Sequence, residues 1–327
     1  MLTAIPEATD QARSDEGPWF SSTARAALLE LLAELDARGY DFVTATPSTH
    51  ARVVKRSDRQ HARALRDVLG WSLPFYASVM DADLLALLRA ADAVEERDDG
   101  LLMSRIRVSR VEGTLFLHSA YPTSAEDSVF LGPDSYRFAQ LITARLQQGT
   151  RTVLDYGAGA GVGGIVAARA AGNAHLTLAD VNPKALFLAS INAQHAGIEH
   201  STVQVTAPRE IEGAFDLMVT HPPFMIDADR RAYRDGGDLY GGRLSLEWVV
   251  QGLDLLAAGG RLILHTGVSI VDGRDVLLDA LREQLPVIGI RKEYRELDPD
   301  IFGEELDNEV YAKVERIAAV GLVLTKL

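Results

Sequence analysis

From about residue 126 the chain alternates short apolar runs with longer segments whose apolar residues recur every three or four positions. The runs 152–155, 175–180, 201–206, 215–220, 260–266, 286–294 and 314–325 read as strands, and 161–171, 183–196, 244–257 and 273–284 as helices. Such alternation predicts an α/β fold, a largely parallel sheet with helices on both faces. No helical pattern separates the last two runs, so they are expected to pair antiparallel. The first third reads differently. Thr23 to Arg38 has an amphipathic face of Ala27, Leu28, Leu31, Leu32 and Leu35 and ends at Gly39. Asp58 to Leu69 and Asp81 to Ala91 follow as further helices. Leu101 to Val108 and Thr114 to His118 flank Glu112-Gly113 as a β-hairpin. The pattern therefore divides into a loose tail over 1–22, a helical and hairpin domain over 23–125, and an α/β domain over 126–327.

Composition narrows the chemistry. The chain has no cysteine, which removes disulfides, thiolate metal sites and a thiol nucleophile. Its eight histidines are scattered, with none paired at helical ligand spacing to a carboxylate, so no metal site is expected. No apolar run approaches the ~20 residues of a membrane span, and the first residues lack the basic and apolar regions of a signal peptide. A soluble cytoplasmic protein without membrane contact is the expectation. A net charge of −13 argues against a broad nucleic-acid footprint. One stretch runs the other way: Arg52, Lys55, Arg56, Arg59, Arg63 and Arg66 make 51–67 basic.

Three local features carry chemistry. Val153-Leu154-Asp155-Tyr156-Gly157-Ala158-Gly159-Ala160-Gly161 is an apolar strand entering a glycine turn before a small-residue helix. Glycine there permits positive φ and close approach of a ligand, as in nucleotide cradles at the carboxyl end of a parallel strand. The next strand ends in Asp180, placed to accept hydrogen bonds from ribose hydroxyls. Dinucleotide enzymes share both features. The strand 215–220, however, runs into His221-Pro222-Pro223-Phe224, where two prolines fix φ twice and make a rigid loop at the sheet edge. A hydride-transfer enzyme has no use for that loop.

In this order and spacing the motifs resemble the class I S-adenosylmethionine-dependent methyltransferases, with their Rossmann-like seven-stranded sheet. Within them they are most similar to the branch with an Asn/Asp-Pro-Pro-Tyr/Phe loop, which includes release-factor glutamine methyltransferases and RNA and DNA amino-group methyltransferases. The resemblance covers about 126–327. It implies S-adenosyl-L-methionine as cofactor, with Asp155, Gly157, Gly159 and Gly161 around its methionine and ribose. It also implies that Asp180 holds the ribose hydroxyls, with Val181 and Asn182 beside the adenine, and that His221, Pro222, Pro223 and Phe224 form the catalytic loop. The segment Val129 to Tyr136 lies where the release-factor enzymes cover the cofactor. This chain departs from the family at His221: a neutral imidazole accepts one hydrogen bond and a protonated one none.

The substrate remains open between classes. Asp298, Asp300, Glu304, Glu305 and Asp307 form an acidic loop, and with the net charge they suggest a small cationic, amino-acid-like substrate methylated on nitrogen. Tyr136, Tyr233, Glu304 and Glu305 are the expected substrate contacts. The family resemblance, the N-terminal helices and the basic run 51–67 suggest instead a protein glutamine or an RNA base amine. A non-catalytic scaffold that merely binds the cofactor is the third alternative. Asp227 to Gly242, rich in glycine, is expected as a flexible stretch carrying substrate contacts or a lid.

Overall fold

A computed structural model describes residues 20–227, 229–231 and 233–327, so the expected tail lies, up to residue 19, outside the described residues. The N-terminal part contains helices α1 (Ser22–Ala37), α2 (Pro47–Val54), α3 (Leu65–Leu69) and α4 (Ala82–Ala90). Strands β1 (Val94–Glu96) and β2 (Leu102–Ser104) pair antiparallel, as do β3 (Ile106–Val111) and β4 (Thr114–Ser119). Helix α5 (Pro133–Arg145) then leads into β5 (Thr152–Tyr156), α6 (Val162–Ala171), β6 (His175–Asp180), α7 (Pro183–His195), β7 (His200–Gln204) and β8 (Phe215–Thr220). The chain closes with α8 (Arg243–Gly252), β9 (Leu256–Val271), the short β10 (Arg274–Asp275), α9 (Val276–Gln284), β11 (Ile290–Asp298) and β12 (Arg316–Lys326).

The main sheet runs β11-β12-β9-β8-β5-β6-β7. Along that path β12 alone is antiparallel to its neighbours, as the missing crossover helix requires. Order reverses beside β5, and the crevice outside the carboxyl ends of β5 and β8 is where ligands bind in such sheets. Small residues seat α6 against this point. A Cβ on Gly163 would lie 2.4 Å from the Phe138 ring, and one on Gly164 2.5 Å from Leu176.

Three expected elements take a different form, each through a long-range partner. The helix over 58–69 survives only as α3, because the Ala62 amide is drawn to the Pro74 carbonyl (2.8 Å), while α2, capped by Thr46, forms just upstream. The hairpin arm 101–108 breaks at Arg105, whose amide bonds the Ala93 carbonyl (2.8 Å), and each half pairs with a different strand. Strand 260–266 extends through Gly267 to Val271, where β12 continues its pairing.

One apolar core joins Leu28, Leu31 and Leu35 of α1 and Val108 and Leu117 of the hairpin to Ile165 of α6, Leu188 of α7 and Val153 of β5. Within it, fully buried Asn192 of α7 accepts the Leu117 amide (2.9 Å). Its Nδ2 donates to the carbonyls of Leu117 (3.1 Å) and Ala160 (2.9 Å). A single amide thus fastens the N-terminal hairpin to the glycine turn. Asn192→Ala leaves these buried groups unpaired, and a loss of about 3 kcal/mol is expected from the cost of unsatisfied buried donors and acceptors. Chemical denaturation checks it; a loss below about 0.5 kcal/mol, typical of neutral surface changes, would contradict this role.

Candidate active site

The turn after β5 needs its glycines. Gly157, Gly159 and Gly161 have φ of +70°, +54° and +81°, a region costly for residues with a Cβ. A Cβ on Gly157 would strike the Trp248 ring at 2.5 Å, whereas one on Gly159 would meet nothing within 4 Å and would enter open space. Gly161 begins α6 and packs on Ala189 without lining the cavity. Two carboxylates hold the turn. Asp155 accepts the Gly164 amide (2.7 Å) in the first turn of α6, and burial pushes its carboxyl up to about 8. Asp180 accepts the amides of Gly159 and Asn182, both at 2.9 Å. Burial raises its pKa too, opposed by those amides. Each oxygen of an ionised carboxylate has a second lone pair, so Asp180 retains capacity for ligand hydroxyls. Asn182 caps α7 through Lys184 (3.0 Å) and ties down the Asp127 carbonyl (2.9 Å). Val181 leaves its apolar side chain 47% exposed beside the same space.

These residues border a cavity of about 610 Å³, within the range of small-molecule sites. His221, Pro222, Pro223 and Phe224 lie on its wall, and Phe138, Tyr121, Trp248 and Phe302 add aromatic surface. The backbone of the Pro-Pro loop is wedged in place. Phe224 sits on Gly267, where a Cβ would come 2.3 Å from its ring. Gly241, at φ +87°, would place a Cβ 2.2 Å from the Phe224 carbonyl oxygen, and Gly236 one 1.9 Å from that of Gly241. The glycines expected to confer flexibility instead permit close backbone packing. The segment above is tied by Met225 and Gly236 amides, by Arg231 paired with Asp227, and by Arg234 paired with Glu305 at 2.6 Å.

His221 is fixed by a second histidine. Its Nδ1 lies 2.8 Å from the His265 carbonyl and donates to it, so in the neutral ring Nε2 carries the lone pair. That Nε2 makes no hydrogen bond among the described residues, and the ring borders the cavity. Burial holds the imidazole pKa below its usual range, opposed by the nearby Asp134 carboxylate. His265, fully buried, approaches His221 Nδ1 with its own Nδ1 (3.2 Å) and leaves Nε2 unpartnered; burial and His221 hold it uncharged. The site therefore presents a neutral, oriented acceptor.

The expected substrate contacts do not all meet here. Tyr233 lines the cavity and donates its hydroxyl to the Thr123 carbonyl. Tyr136 does not: its hydroxyl accepts the Thr44 amide (3.0 Å) on the N-terminal side of α5. Glu304 is exposed and Glu305 is held by Arg234; neither lines the cavity, and from their loop only Phe302 does. Asp298 is likewise occupied, by Arg137 at 2.7 Å. Sequence reasoning missed Trp248 and His265. A histidine and a threonine inside the apolar run of β9 were the available signal, since buried polar residues are the informative ones.

The methyltransferase small domain model matches residues 129–235, which include the glycine turn, Asp180 and the Pro-Pro loop. The release factor glutamine methyltransferase of Deinococcus radiodurans is 27% identical over 225 residues, 66% of this chain and 77% of that protein. Ribosomal RNA small subunit methyltransferase C of Haemophilus influenzae is 37% identical over 82 residues, so the chain spans only 24% of that enzyme's length. Among solved structures, Trm5b from Pyrococcus abyssi aligns with a TM-score of 0.48 and 15% identity, covering 74% of this chain and 68% of that one. Among the described residues no helix is long and apolar enough to cross a membrane. The matched domain falls on the turn, the acid and the loop that build the cavity, so the chain carries a methyltransferase small domain there and is similar to the S-adenosylmethionine-dependent methyltransferases.

Proposed function

We propose that this enzyme methylates a planar –NH2 nitrogen, and that the nitrogen is a base amine of RNA. The reading of a small cationic substrate loses its support, because Glu305 and Asp298 already neutralise arginines of the protein. The observation that carries the RNA reading is a run of exposed cations that follows a cavity-lining residue in the chain. Pro47 lines the cavity and opens α2, and from there Arg52, Lys55, Arg56 and Arg63 are exposed and make no ion pair among the described residues. Arg230, also exposed, lines the cavity itself. A local group of cations supplies phosphate contacts that the overall charge of −13 does not. On this reading residues 23–125 serve as the substrate-recognition part and 126–327 as the catalytic part. A protein glutamine is the second reading, favoured by the 77% coverage of the release-factor relative.

Cofactor residues fit their assignment: position 159 opens onto unfilled space, Asp180 has hydrogen-bonding capacity left, and Val181 offers an apolar face. The cofactor supplies an electrophilic methyl group on a sulfonium. The chain's own task is to exclude water and orient the acceptor nitrogen, which is the main demand of an in-line displacement. His221 Nε2 accepts one N–H of the substrate, turning the nitrogen lone pair away from the planar group that delocalises it. As the N–C bond forms, the nitrogen's surplus proton passes to Nε2 and then to solvent. Phe224 and Phe302, with rings 5.9 Å apart, offer faces for a planar group.

Calorimetry with S-adenosylmethionine is expected to show binding to the wild type and none to Asp180→Ala or Gly159→Val; normal binding by both would overturn the cofactor assignment. His221→Ala should bind cofactor normally yet lose about 100-fold in kcat, the scale of a positioned proton acceptor. Because His221 titrates below the usual histidine range, the acid limb of the wild-type rate, where Nε2 is protonated, should be centred below pH 6.5. An acid limb centred at or above 6.5 would refute the buried neutral acceptor. Methyl-labelled cofactor, offered an RNA fraction and a protein fraction, is expected to label RNA; label in protein only would move the assignment to the second reading.

A further inference from the structure

Strand β11 forms an edge of the main sheet and pairs with β12 alone. Residues 291–293 and 295–297 on it are exposed. The Leu327 amide bonds the Gly289 carbonyl (2.9 Å), one step before Ile290 pairs with Lys326 in the ladder. Bonding alternates along an antiparallel pair, so Arg291, Glu293 and Arg295 turn their amides and carbonyls to β12. Ile290, Lys292, Tyr294 and Glu296 turn theirs to the open edge, and among the described residues no strand pairs with them there. Such an edge is a template for another strand, and edge charges usually blunt it.

Here the charges run in an order that favours one partner. Outward from Tyr294, Glu293 and Lys292 lie on one side, and Arg295 and Glu296 on the other. The strand is therefore complementary in charge to itself when reversed about Tyr294. Among the described residues Lys292 and Arg295 make no ion pair, while Glu293 meets Arg145 (4.0 Å) and Glu296 meets Arg316 (3.0 Å). The Tyr294 hydroxyl is tied to Asp275 (2.6 Å) at the start of α9, which leaves its backbone at the edge.

We propose that β11 pairs with β11 of a second copy of this chain, antiparallel about a two-fold axis at Tyr294, joining two sheets into one. Lys292 then lies opposite the partner's Glu296, and Glu293 opposite the partner's Arg295, each pair occurring twice. Sliding the axis by two residues also pairs the outward amides and carbonyls. It sets Lys292 or Glu296 opposite its own copy, however, and like charges directly opposite are destabilising. Antiparallel pairing brings the start of one strand to the end of the other. Val287 and Ile288, 90% and 84% exposed, thereby approach the partner's Leu297. Neither the substrate nor methyl transfer enters this pairing.

Sedimentation equilibrium of the full chain at about 100 μM, above the dissociation constants of modest interfaces, is expected to give twice the 35.5 kDa of one copy. Arg295→Glu sets a carboxylate opposite the partner's Glu293, and Glu293→Arg sets a guanidinium opposite the partner's Arg295. Each should raise the dimer Kd at least about tenfold. An equimolar mixture of the two variants is expected to regain the dimer, because opposite charges then face each other at both positions. Lys292→Pro removes one outward amide without touching the bonds to β12, and should also be monomeric. A monomeric wild type would overturn the pairing and leave the edge to a different partner. A dimer that all three variants retain, or variants that stay apart when mixed, would overturn it as well.

Discussion

A glycine turn with three left-handed residues has little to hold it except its own backbone polar groups, and here every part of the site depends on how those groups are satisfied. Asp180 reaches from β6 to the Gly159 amide, Asp155 reaches past the turn to Gly164, and Asn192 comes from α7 to the Ala160 carbonyl. The three side chains stand on three different elements, so the sheet, its crossover helices and the turn must form together. Asn192 extends the same constraint to the N-terminal hairpin. The first hundred residues therefore share a core with the main sheet, and Pro47 brings them to the cavity.

Burial is the second theme, and it works in opposite directions on acids and bases. It raises Asp155 and Asp180, and it keeps His221 and His265 neutral. For methyl transfer the second effect is the useful one. A protonated imidazole at the end of β8 would repel a sulfonium and accept nothing, whereas a neutral ring held by the His265 carbonyl offers one directed lone pair. On the proposed function, the acceptor at the end of β8 is a histidine kept neutral by desolvation.

The parts of the site legible in the sequence are those encoded over a few adjacent residues. Positive φ demands glycine at 157, 159 and 161, a strand end displays Asp180, and two prolines stiffen the loop after Thr220; the fold places all of them except Gly161 around one crevice. Features made by distant partners were not legible. Nothing local says that Glu305 is taken by Arg234, or that Gly241 is small because the Phe224 carbonyl lies against it. The helix expected over 58–69 fails for the same reason, its middle drawn into a bond with Pro74. Trp248 and His265 reach the site from α8 and β9, far along the chain, with only the polar break in β9 as a hint.

The claim on which the chemistry turns is the state of one imidazole. Long-range proton–nitrogen NMR on the 15N-histidine-labelled protein reads the tautomer of each ring directly. At pH 7.5 the account predicts that His221 is neutral, with its proton on Nδ1 and a bare Nε2. A doubly protonated ring, or a proton on Nε2, would contradict it.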